Sequence, residues 1–115
     1  MFEHKESIFQ GVHLLILSNI LVGCNLKQGD GRATGGEKLI DGSFAKEECI
    51  EAVLEKFPKA NGLTFGNCKD DGKCKCYAEI GMNGRYAKSD WAPKNQWMHE
   101  IWKSCFFVAG ILKDY

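Results

Sequence analysis

Apolar residues between Ser43 and Phe57 recur with a helical period. Ile50, Val53, Leu54 and Phe57 stand at i, i+3, i+4 and i+7, which puts them on one stripe, with Cys49 one turn before Val53 at its edge. Ser43 is of a type that caps a first turn, Glu47 and Glu48 lie near the positive end of the helix dipole, and Pro58 stops the helix. Such a stripe needs a sheet or another helix to cover it. Leu63-Thr64-Phe65 and Cys74 to Ile80 read as the nearest strands, and Asp70-Asp71-Gly72-Lys73 between them has turn chemistry. Gly81 to Tyr86 reads as turn-forming, and a polar loop runs on through Ser89, Pro93 and Asn95. From Trp102 the pattern becomes aromatic and β-branched, which predicts a strand to Val108. Its alternation sets Trp102, Ser104, Phe106 and Val108 on one face and Lys103, Cys105 and Phe107 on the other.

Ahead of the helix, Gln28 to Gly42 is rich in glycine and charge and reads as a loop with a short strand at Lys38-Leu39-Ile40. Gly29, Gly31, Gly35 and Gly36 lack the strand, helix and Gly-Lys-Ser/Thr frame of a phosphate loop. Asp30, Asp41, Asp70 and Asp71 fit no EF-hand spacing and read as solvated turn residues rather than calcium ligands. Val12 to Val22 is the long apolar run of the chain, about half the roughly 20 residues of a membrane span. It fits the apolar region of a signal peptide covering residues 1–23, with Gly23 at the cut and a mature domain over residues 24–115. Glu3, Lys5 and Glu6 in front do not supply the usual positive excess, so an apolar N-terminal helix that stays on the protein is the alternative. Leu21-Val22-Gly23-Cys24 also matches the short bacterial lipoprotein pattern.

Composition narrows the classes. At 115 residues the chain is one domain at most, and Lys plus Arg equals Asp plus Glu at 15 each, so no basic excess steers it to nucleic acid or to an acidic membrane surface. Six cysteines in so short a chain point to a small core reinforced by crosslinks, or to metal. Cys74 and Cys76 share one face of a strand and are poorly placed to bond each other, whereas Cys68 and Cys74 flank the turn and could close a hairpin. Cys49 could then reach Cys76, leaving Cys24 with Cys105. The metal alternative uses Cys68, Cys74 and Cys76 with His99 or Cys105, but paired Cys-x-x-Cys knuckles are missing, so no metal and no cofactor is expected.

Glu48-Cys49 opening an amphipathic helix, Ala60 to Phe65 as a strand, Lys75-Cys76-Tyr77 on the next, and the closing Trp102-Lys103-Ser104-Cys105 together resemble the PAN/apple domain superfamily of secreted and cell-surface modules. The run Tyr77 to Met82 looks like a divergent, invertebrate-type version of it. A second helical cysteine common in that family is replaced by Val53, and its partner by Ala60, so both ends of one bridge are absent together. The resemblance implies Cys49 with Cys76 and Cys24 with Cys105, to which Cys68 with Cys74 would be an addition. It also implies an α+β fold, an antiparallel sheet of about five strands with one helix packed across it.

For function, His99 beside Glu100, with Ser104 and Cys105 nearby, makes no clear nucleophile and base pair, so the chain is not expected to be an enzyme. The expectation is a secreted module binding an extracellular protein or glycan. Arg85, Tyr86, Trp91 and Trp97 are its candidate ligand-binding residues, because aromatic and arginine side chains carry much recognition energy. The alternative is an extracellular structural protein that self-associates in a matrix or filament.

Overall fold

The computed structural model describes residues 7–9, 12–17 and 20–111, with side chains over 22–108. The charged front of the expected signal peptide, residues 1–6, and positions 18–19 within its apolar run lie outside the described residues. The elements in order are β1 (Ser7–Phe9), β2 (Val12–Leu17), β3 (Ile20–Cys24), β4 (Lys27–Gln28), β5 (Gly31–Ala33), β6 (Glu37–Phe44), α1 (Lys46–Lys56), β7 (Gly62–Gly66), β8 (Cys74–Glu79), β9 (Met82–Arg85), α2 (Met98–Ile101) and β10 (Trp102–Ile111). The fold is α+β, and the strand pairs are antiparallel. Among the described residues no helix is long and apolar enough to cross a membrane.

The main sheet has eight strands, wider than the expected five. Its order is β1-β2-β3-β10-β7-β8-β6, with β4 also paired to β10. The difference lies in the apolar run before Cys24. Val12–Leu17 and Ile20–Cys24 are strands, and Ile20–Cys24 pairs with Phe107 to Ile111 of β10. The ten-residue β10 is long enough to hold β3 and β4 along one edge and β7 along the other.

The helix lies on one face of this sheet. Its residues Cys49, Ile50 and Val53 pack in one core with Ile40, Leu63, Phe65, Cys76, Ala78 and Cys105. Burying about that many aliphatic side chains stabilises by roughly 1.5 to 3 kcal/mol each before entropy is counted. The buried stripe is turned from the expected one. Cys49 sits at its centre with no exposed surface, while Leu54 and Phe57 are only partly buried. The start differs too: Ser43 belongs to β6, and the N-cap is Ala45, whose backbone N–H donates to Glu48 Oε1 at 2.8 Å. The reason is pairing, since β6 resumes its pairing with β8 after an irregularity between Ile40 and Phe44, which sets Phe44 opposite Cys74.

The other face is covered by a two-stranded ribbon of β5 and β9. Two runs expected as loop and turn are therefore strands. Gly31 makes the cover possible, because a Cβ there would stand 3.0 Å from Thr64 Oγ1 and 3.1 Å from Glu79 Cγ. Along β10 the expected alternation of faces holds, but each face is buried over a different half. Trp102 and Ser104 are buried under the ribbon side and Cys105 on the helix side, whereas Val108 on the former is exposed.

Three disulfides tie these layers: Cys24–Cys105 joins β3 to β10, Cys49–Cys76 joins α1 to β8, and Cys68–Cys74 closes the turn before β8. All six cysteines are consumed, which leaves no thiolate for the metal alternative. At that turn Gly72 takes a positive φ of 81° and the Lys73 N–H donates to Asp71 Oδ1 at 2.8 Å.

Candidate functional site

Strand register places an acidic pair on the ribbon face. Glu37 of β6 stands directly opposite Glu79 of β8, two residues along from Tyr77, which is itself opposite Thr64 of β7. Like charges directly opposite on a sheet destabilise it. The turn between β4 and β5 adds Asp30, held by its own carbonyl, which accepts from the Tyr86 N–H at 2.8 Å. Oxygens of Asp30, Glu37 and Glu79 all lie within 4.8 Å of one another.

Thr64 is the hub of this cluster. Its hydroxyl accepts from the Gly31 N–H at 3.0 Å and faces Glu79 Oε2 at 2.5 Å and Asp30 Oδ1 at 3.2 Å. A hydroxyl has one proton, so it serves one carboxylate at a time. Glu79 has no exposed surface, and its Oε1 has no hydrogen-bond partner. Burial first, then the hydrogen bond and charge of Glu37, push the Glu79 carboxyl up to about 9. Burial and the charge of Glu37 likewise raise Asp30 to about 7. Tyr77 on the same face is raised by burial and then by Glu37 and Asp30.

Above the carboxyls is a cleft of about 350 Å³ walled by Tyr86 and Trp91 and reaching Asp90. The two rings lie 5.9 Å apart at 52°, and the Arg32 guanidinium sits 5.4 Å over the Tyr86 ring. Trp91 Nε1 is buried with no partner. Asp90 holds the loop by accepting from the Ala87 N–H at 2.6 Å. Carboxylates beneath and aromatic faces beside the opening suit a ligand with many hydroxyl or amine donors.

Of the four residues expected to form a binding surface, the structure unites Tyr86 and Trp91. Arg85 turns to the other side of β9, where its guanidinium donates to the Ser104 carbonyl at 2.9 Å and lies over the Phe106 ring. Trp97, 56% exposed, precedes α2 and does not line the cleft. Near the end of the chain, the Ser104 hydroxyl is buried and donates to the Gly29 carbonyl at 2.7 Å, while Cys105 is in a disulfide. His99 Nδ1 is buried without a partner. The sequence reading missed Glu37 and Glu79 and read Asp30 as a solvated turn residue. The sequence carried no signal for Glu79, because alternation sets it on one face of the Cys74 to Ile80 strand with Lys75, which is exposed, and Tyr77. Comparison with protein-family models, with curated proteins and with solved structures finds no match to this chain.

Proposed function

We propose that this chain is a secreted, disulfide-stabilised binding module of PAN/apple-like kind, and that its cleft takes a carbohydrate. The observation that carries the reading is the pairing of Tyr86 with Trp91 beside a floor of carboxyls. Sugar rings present apolar C–H faces to aromatic rings and hydroxyls to carboxylates, so both halves of the cleft are used. Three disulfides in a small domain accord with an oxidising compartment. A glycan array probed with the purified chain tests it. Saturable binding that drops at least about tenfold in Trp91→Ala and in Tyr86→Ala, with Trp97→Ala unchanged, is the expected result. No glycan binding, or loss only in Trp97→Ala, removes the cleft from the reading.

A second reading, an extracellular assembly protein, is favoured by one observation. Ile20–Cys24 is built into the main sheet against β10, and a cut after Gly23 would strip that edge. Intact mass of the naturally exported protein separates the two. A mass beginning at Cys24 supports the cleaved module, and a mass that retains Met1 supports assembly through the N-terminal strands.

A further inference from the structure

Like charges gather in the three-carboxylate cluster. Asp30 comes from the β4–β5 turn, Glu37 from β6 and Glu79 from β8, so three separate pieces of chain converge on one point. The charges that bear on Asp30 and Glu79 are negative, Glu37 on both and Asp30 on Glu79. Arg32 is engaged over Tyr86 and Arg85 on the Ser104 carbonyl. The single Thr64 proton cannot satisfy both Asp30 and Glu79, and Glu79, a buried residue that lines the floor of the cleft, leaves its Oε1 without a hydrogen-bond partner among the described residues. A buried, ionised carboxyl without a donor is costly, and it is met either by a retained proton, which the raised Glu79 carboxyl supplies in metal-free protein, or by a cation that displaces that proton.

We propose that Asp30, Glu37, Glu79 and the Thr64 hydroxyl form a calcium site at the floor of the cleft. The donor set is all oxygen, which selects a hard cation and argues against zinc or copper. Oxygens on opposite sides of a calcium ion lie about 4.8 Å apart, twice the usual Ca–O distance, and the three carboxylates fall within that span. Magnesium would draw opposite oxygens closer, to about 4.1 Å across, and prefers to keep several of its own waters. The opening above the cluster leaves room for water to complete the shell. The assignment rests on the carboxylates and Thr64 alone and is independent of what the aromatic wall binds.

The test uses the full chain, stripped with EDTA and dialysed at pH 7.5, then titrated with CaCl₂ alone in a calorimeter and followed by thermal unfolding. One saturable ion per chain and a higher Tm in calcium than in EDTA are expected. Glu37→Gln, at an exposed position on the rim, should weaken calcium binding at least about tenfold while leaving the fold intact, and Glu79→Gln should abolish the calcium-dependent rise in Tm. Equal Tm in EDTA and in calcium, or a calcium response that both variants keep, overturns the site. A magnesium response equal to the calcium response overturns the choice of ion.

Discussion

Replacing Cys24 and Cys105 together by alanine is expected to lower the unfolding free energy by about 4 kcal/mol, the largest loss of the three bridges. The bridge spans 81 residues, against 27 for Cys49–Cys76 and 6 for Cys68–Cys74. In the chain-entropy account, the cost of opening a crosslink grows with the loop it closes, so removing Cys68–Cys74 should cost only about 2 kcal/mol. Small domains have about 5 to 15 kcal/mol in total, so the first loss takes a large part of the margin. Both cysteines are buried in β3 and β10, and the alanines also leave unfilled volume there. Urea midpoints measured without reductant for the two double variants decide it. An equal loss for both would show that local packing, not the length of closed loop, sets the stability of these crosslinks.

The second large effect is on pH. In protein held free of metal by EDTA, Tm should be highest near about pH 5 and fall steadily toward about pH 9. The direction follows from the acidic cluster. Asp30 is raised from 3.8 to about 7 and Glu79 from 4.5 to about 9, both chiefly by burial. A carboxyl raised in the folded state favours folding while it holds its proton. That contribution is complete below the unfolded pKa and is lost as pH rises through the folded one. Each such proton changes stability by about 1.4 kcal/mol per pH unit across the window. The groups facing the cluster are Glu37 from β6, Thr64 from β7, Tyr77 from β8, and Tyr86 and Asp90 from the chain after β9. Glu79→Gln keeps the shape and removes the ionisation, so its Tm should stay nearly level above about pH 7, leaving only the Asp30 step below. A Tm that stays level or rises from pH 6 to 9 in the unmutated protein would mean that the cluster stays ionised when folded.

Much of the scaffold was legible along the chain. The helical period of Ile50 and Val53, the stop at Pro58, and the turn chemistry of Asp71-Gly72 are local signals, and local signals survive folding because they depend on neighbours a few residues apart. Cys68 and Cys74 across one turn belong to the same class. The strand over Trp102 onward was legible from its residue types, and its alternation told which side chains share a face.

What the chain by itself did not carry was which faces meet. Gly31 to Ala33 and Met82 to Arg85 have no strand signature, and they become strands only because they pair with each other over the sheet. The rotation of α1 that centres Cys49 follows from Cys76 lying beneath it. Tyr86 and Trp91 were within reach of a sequence reading because five residues separate them, whereas the contact of Arg85 with the Ser104 carbonyl depends on how the ribbon docks on the sheet. Local sequence alone set the helix, the strands over Leu63 to Phe65, Cys74 to Ile80 and Trp102 to Val108, and the turn that Cys68 and Cys74 flank, through period, residue type and turn chemistry. Only the tertiary structure brought Asp30, Glu37, Thr64 and Glu79 to one point, because register between β6, β7 and β8 is a long-range property that no single stretch of sequence encodes.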